Sequence, residues 1–247
     1  MSDRPPAVAA EDLTRRFGSR VAVDRVTFRV EPGESVALFG SNGAGKTTLL
    51  RILSSALRAS SGAIRIDGLD YREDAVAIRR RIGVISHSSY LYGDLSALDN
   101  LEFFARLYAV PDAREAAGRM LAAMELDERA DDAAKTFSRG MTQRLSIARS
   151  LIHDPRIVFL DEPFSGLDPH AAVVLRAALD RLRAEGRTLV MVTHDLPQGL
   201  AMSDRWLLME RGRLIDQGRS AGVDARDFEN ERFRIRRRAA PAGDTAP

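Results

Sequence analysis

The run Gly40-Ser41-Asn42-Gly43-Ala44-Gly45-Lys46-Thr47-Thr48 has the residue types and spacing to hold a chain of phosphates. Glycines at 40, 43 and 45 let the backbone curl until consecutive N–H groups face one anion, and the N-terminus of a following helix adds partial positive charge. Lys46 then offers a point charge to β- and γ-phosphates, and the Thr47 hydroxyl offers a hard oxygen to Mg2+. Lysine occurs only at 46 and 135 in a chain whose basic side is otherwise arginine. A compact ammonium at the position that needs a point charge, rather than a planar fork, favours the phosphate reading, although Lys135 limits its weight.

A second constellation follows Ile157-Val158-Phe159-Leu160, where an apolar run delivers Asp161 and Glu162. On an extended backbone neighbouring side chains point opposite ways. Asp161 then suits Mg2+, directly or through water, and Glu162 suits a water attacking the γ-phosphate, as general base or positioner. His194, just past Thr188–Thr193, is placed to hydrogen-bond the γ-phosphate and that water. Each feature alone has a plainer meaning: a glycine turn that binds nothing, a solvated acidic pair, a histidine bonding its own strand end. Their joint occurrence favours chemistry.

Such residues need strands that end together. Residues 35–39 form a short apolar run ahead of the glycine loop, and helix-forming residues extend from Lys46 to about Leu57. Residues 21–30 alternate apolar and polar as a half-buried strand does, and 63–67 and 81–86 also read as strands. From about 90 to 150 the spacing turns helical, with Pro111 as a divider, and predicts an inserted helical layer. Strand–helix alternation returns with 156–160, the helix 170–186, the strand 188–193 and a hairpin around Arg211-Gly212. Alternation of this kind predicts a mainly parallel sheet with helices on its faces. The stretch from about 222 reads as a mobile, charged end, and its cluster Arg234, Arg236, Arg237, Arg238 as a solvated charge run.

Composition sets the limits. A chain of 247 residues with 45% apolar residues can bury a substantial core. It has no cysteine, which excludes disulfides and thiolate metal sites, and a net charge of only +2, which gives no case for a nucleic-acid partner. No secretory apolar segment and no run of about 20 apolar residues is present, so a membrane crossing is not expected of this chain.

Taken in order, the motifs resemble the nucleotide-binding domain of ABC transporters over residues 8–218. Residues 40–48 match the phosphate loop, Asp161-Glu162 the acidic pair, Ser165-Gly166-Leu167-Asp168 the D-loop and His194 the switch histidine, while Phe17 falls where the family places an aromatic that stacks on adenine. The signature motif, usually Leu-Ser-Gly-Gly-Gln, is here Phe137-Ser138-Arg139-Gly140-Met141: Ser138 and Gly140 are kept, and Arg139 and Met141 depart. His87 stands where the Q-loop glutamine is usual. A histidine there offers a ring nitrogen to Mg2+ and the catalytic water, with turnover falling as it protonates, or else merely fills the loop.

The resemblance implies a P-loop NTPase of α/β class: a RecA-like, mainly parallel core (about 8–86 and 151–218), an N-terminal antiparallel β layer and a helical subdomain (about 88–150). Residues 1–220 then form the ATP-binding domain, followed by a tail at 221–247. It further implies ATP and Mg2+, a second copy whose Ser138, Arg139, Gly140 and Met141 complete the site in trans, and a transmembrane permease at the cytoplasmic face of the inner membrane. Tyr90, Leu91 and Tyr92 are candidate permease contacts, or core. Soluble ABC ATPases and P-loop kinases or GTPases are the competing classes, and the latter leave the signature, SGLD and His194 unexplained. The FSRGM, ISHSSYLYGDLS and LDEPFSGLDPH stretches look like haem-exporter ATPases of cytochrome c maturation, and ABC-2 type drug and polysaccharide exporters share much of this.

Overall fold

The computed structural model describes residues 4–86 and 89–229. Strands β1 (Val8–Phe17) and β2 (Arg20–Val30) open the chain and pair antiparallel, from Val8 opposite Val30 to Phe17 opposite Arg20. Strand β3 (Ser35–Gly40), buried along its length, leads into helix α1 (Lys46–Leu53). Strands β4 (Ser61–Ile66) and β5 (Leu69–Asp70) return to the first layer, giving a four-stranded sheet of order β2-β1-β4-β5. Helix α2 (Ala75–Arg79) and strand β6 (Ile82–Ile85) follow. Helices α3 (Ala97–Leu107), α4 (Ala113–Ala123) and α5 (Arg139–Leu151) then intervene before β7 (Ile157–Asp161). Helix α6 (Pro169–Ala184), strand β8 (Thr188–Val192), helix α7 (Leu196–Ala201), the hairpin β9 (Arg205–Glu210) and β10 (Arg213–Arg219), and helix α8 (Ala225–Phe228) complete the described chain.

The second sheet has the order β10-β9-β3-β8-β7-β6. Its neighbours run parallel except for β10, which turns back against β9. Both faces of this sheet are covered, so its inner strands read as unbroken apolar runs. The two-residue side-chain period sorts them. Ile157 and Phe159 of β7, with Val190 and Val192 of β8, enter the core shared with α1 and the antiparallel layer. Val158, Leu160, Leu189 and Met191 face the other way, into the core formed by α3, α4, α5 and α6. The mixed architecture expected from the sequence is the one the chain adopts.

Two elements differ from expectation. Helix α1 stops at Leu53, not near Leu57. Ser54 Oγ donates to Arg51 O (3.3 Å) and Ser55 takes a φ of 63°, so a serine pair that competes for backbone partners ends the helix. At the other end, order continues past residue 220. Asp224 caps α8 by accepting from the N–H groups of Arg226 and Asp227, and Phe228 is buried between Phe39 and Trp206, with ring centroids 5.6 and 4.8 Å away. The arginine cluster at 234–238 lies outside the described residues.

Candidate active site

Strands β3, β8 and β7 are neighbours, and their registers put Leu38 beside Val192 and Val192 beside Asp161. Their C-terminal ends therefore form one edge, the place where ligands bind in open α/β sheets. Gly40 to Gly45 leave β3 at this edge, Asp161 and Glu162 leave β7, and His194 follows β8.

The glycine loop is held from outside. Gly45, the N-cap of α1, has a φ of 104°, and a Cβ there would lie 2.2 Å from Ala22 O. A Cβ at Gly40 would lie 2.3 Å from Met209 O. Only glycine admits these approaches. Ala44 O accepts from Gly212 N at 2.9 Å, and Asp24 N donates to Gly212 O at 2.8 Å, so the β9–β10 turn ties the loop to the antiparallel layer. The hairpin turn expected at Arg211-Gly212 therefore also braces the loop, a role that a local turn signal does not carry. The same layer carries Phe17, nearly half exposed at the end of β1, with the Arg15 guanidinium 4.5 Å from its ring centroid.

Lys46 is buried, and its Nζ donates to Gly40 O (2.7 Å) and Ser41 O (3.1 Å). Burial pushes its pKa below the usual lysine range, and the Glu162 and Asp161 carboxylates push back. The Thr47 hydroxyl donates to Asp161 Oδ1 at 3.1 Å, which brings together two residues 114 positions apart. Two hard oxygens at one point fit a magnesium ion that takes its other ligands from phosphate and water. Among the described residues, no cluster of three or more His, Cys, Asp or Glu could hold a metal by itself.

Glu162 corrects one expectation. Its backbone is not extended: β7 ends at Asp161, Glu162 N donates to Val192 O (2.8 Å), and φ is 49°. The turn out of the strand, rather than side-chain alternation, aims this carboxylate. Its Oε2 accepts from the His194 backbone N–H (3.3 Å) and meets His194 Nδ1 at 2.8 Å. The histidine ring is largely exposed and the carboxylate largely covered.

The remaining candidates form a second group. Ser138 is the N-cap of α5, its Oγ accepting from Met141 N at 3.3 Å. Asp168 caps α6 through Ala171 N (2.8 Å) and also lies against Gly140, where a Cβ would meet its Oδ2 at 2.0 Å. Helix α5 packs on α3, α4, α6 and β6, whereas α1 packs on β2, β3, β7 and β8. The structure thus links Lys46, Thr47, Asp161, Glu162 and His194 through their contacts, and links Gly140 to Asp168 beside the Ser138 cap, with Glu162 the member of the first group nearest the second. His87 lies outside the described residues. Ser86 and Ser89 beside it line a cavity of about 360 Å3 with Phe137, Arg139, Gln143 and Glu162.

A glycine loop at a strand–helix junction, with an acidic pair at the end of a parallel strand two positions away in the same sheet, defines a P-loop nucleoside triphosphatase. Residues 23–165 match the family model described as ABC transporter. The chain is 35% identical over 216 residues to the Nod factor export ATP-binding protein I of Ralstonia nicotianae, covering 87% of this chain and 67% of that protein. It is 37% identical over 215 residues to the daunorubicin resistance ATP-binding protein DrrA3 of Streptomyces coeruleorubidus, covering 86% and 68%. An ATP-binding cassette solved as a dimer in a post-hydrolysis state, with ADP and Pi, superposes with a TM-score of 0.78 at 26% identity, covering 87% of this chain and all of that one. The chain belongs to the ABC transporter family, as an ATP-binding, ATP-hydrolysing subunit of the kind that works with transmembrane permease components.

Proposed function

We propose that two copies of this chain close head to tail on two Mg·ATP and that the closing and opening drive export through a membrane-spanning partner. The observation that carries this is that, among the described residues, the Lys46 and Thr47 side chains bond only to Gly40, Ser41 and Asp161, while the Ser138 hydroxyl caps its own helix, so no contact within one copy brings Ser138 to the phosphate loop. The glycine loop, Asp161, Glu162 and His194 can bind and cut a nucleotide, yet the helix start at Ser138 belongs to a separate layer. Two-fold pairing would set one copy's Ser138 and Gly140 against the phosphate held by its twin. The likeness to a cassette solved as a dimer supports the arrangement.

Within each site Phe17 stacks on the adenine, and the amides of residues 40–48 with the Lys46 ammonium hold the β- and γ-phosphates. Thr47 and Asp161 would hold Mg2+, which supplies charge neutralisation on the phosphates when bound. Glu162 aligns the attacking water and takes up its proton, and His194, bonded to Glu162, steadies that carboxylate and reaches the γ-phosphate. On its sequence position alone, His87 would offer a ring nitrogen to Mg2+ and the attacking water. Asp168 holds the turn between the two groups by capping α6.

The membrane-spanning partner docks on the helical layer and so holds this chain peripherally at the cytoplasmic face of the membrane. No helix among the described residues is long and apolar enough to cross a bilayer, whereas Tyr90, Tyr92, Phe103 and Leu107 leave aromatic and aliphatic surface exposed around α3. Export is favoured because the Nod factor relative is named for it. Haem export rests on the sequence stretches alone and is tested by the cargo that moves when the membrane partner is supplied.

Glu162→Gln is the test. It keeps size and removes the base, so steady-state hydrolysis should fall by about a hundredfold or more, while Mg·ATP shifts the protein to a dimer in size-exclusion chromatography. Hydrolysis near the wild-type rate, or a monomer under all nucleotide conditions, would overturn the scheme.

A further inference from the structure

We infer that Arg139 is a positioning residue for hydrolysis: its guanidinium clamps the turn at Gly166 and so holds the loop that starts at Glu162. This rests on the role proposed for Glu162.

Arg139 is the first residue of α5, next to the Ser138 cap. The positive end of the helix dipole disfavours a cation there. The first turn of α5 carries no acid, and among the described residues no ion pair forms with Arg139. What the guanidinium touches is Gly166: a Cβ there would lie 2.2 Å from Nη2 and 3.2 Å from Cζ. The next residue, Gly140, is in equally close contact with Asp168. The start of α5 therefore meets the 162–168 turn at two points, the Arg139 guanidinium against Gly166 and Gly140 against the Asp168 carboxylate.

The turn needs the grip. Its own backbone bonds are Ser165 N to Glu162 O at 3.0 Å and a long one, Leu167 N to Phe164 O, at 3.3 Å. Phe164 and Leu167 lean into the helical core, but Ser165 and Gly166 are exposed, with the Arg139 guanidinium lying against Gly166. At the head of the turn Glu162 sits at positive φ, a conformation that persists in a side-chain-bearing residue only when its surroundings hold it. Release of Gly166 lets the turn relax and moves the Glu162 carboxylate relative to His194. The glycine loop rests on other elements, so nucleotide binding is spared and the chemical step is not.

The test uses Arg139→Ala, Arg139→Lys and Gly166→Ala in the full chain. Arg139→Ala should lower kcat about tenfold while the KM and the Kd for Mg·ATP stay within about twofold, since displacement of an aligned group acts on the transition state. Arg139→Lys should recover part of the loss. Gly166→Ala intrudes on the guanidinium and should slow the wild type more than it slows Arg139→Ala, giving a non-additive cycle. An unchanged kcat in Arg139→Ala, additive effects, or a loss confined to KM or ATP-driven dimerisation would overturn the clamp; the last would put the guanidinium on the nucleotide. If Glu162→Gln hydrolyses normally, the role of Glu162 falls instead. A fall in melting temperature beyond about 2 °C that tracks the lost rate, with no recovery in Arg139→Lys, would reduce Arg139 to a structural part.

Discussion

At the scale of single residues, the hydrogen bond from Thr47 to Asp161 joins the two motifs that sequence alone could only set side by side. Residue types at the site were legible because phosphate, metal and water each demand a donor or acceptor of one kind. The conformation of Glu162 was not, because alternation stops where the strand stops and nothing local announces the left-handed turn. One residue unused by the site has a testable titration. His153 stacks on Tyr108 (3.9 Å between centroids) and donates from Nε2 to Ile82 O (2.9 Å), and among the described residues Nδ1 is buried without a partner. Burial lowers its pKa below 6.5, helped by Arg149 and opposed by the Ile82 carbonyl and Asp154. The unfolded chain then binds the proton more readily. The contribution of His153 to stability is complete above 6.5 and lost as pH falls through the lower folded value. Thermal melts at pH 8 and pH 5.5 should show a smaller acid-induced drop for His153→Gln than for wild type, and equal drops would refute this.

At the scale of elements, helix starts do two jobs. Ser138 both caps α5 and is the residue proposed to meet the twin's phosphate. Glycine replaces a serine cap at a cost of only a few tenths of a kcal/mol, whereas alanine costs about 1 kcal/mol. Ser138→Gly should therefore leave the urea midpoint nearly unchanged while hydrolysis falls, and Ser138→Ala should lower both. A Ser138→Gly protein with full activity would confine the serine to capping. Strands β3, β7 and β8 were legible because strands covered on both faces are written as apolar runs of fixed length. Helix α8 was not, since a four-residue helix with one buried aromatic in a charged stretch shows no period to detect.

At the scale of the whole molecule, the ring of Phe228 closes a small core made of Ala37, Phe39, Leu200, Trp206 and Leu208, on β3 and its neighbours. Phe39 immediately precedes Gly40, so the last described helix props the strand from which the glycine loop springs. Phe228→Ala should destabilise by about 3 kcal/mol in chemical unfolding and weaken ATP binding, although Phe228 belongs to no motif. Unchanged stability would show that α8 is not part of the fold. The order of the second sheet has a bearing on synthesis. Both neighbours of β3 come from the last quarter of the chain, β8 from Thr188 and β9 from Arg205. A ribosome that has delivered the first 185 residues has released every residue of the phosphate loop and neither strand that flanks it. Pairing over such separations is slow, and until it happens the edges of β3 stand open to other chains. Nucleotide capture thus waits until β8 and β9 have emerged, and the apolar strand β3 is a hazard to the nascent polypeptide until then.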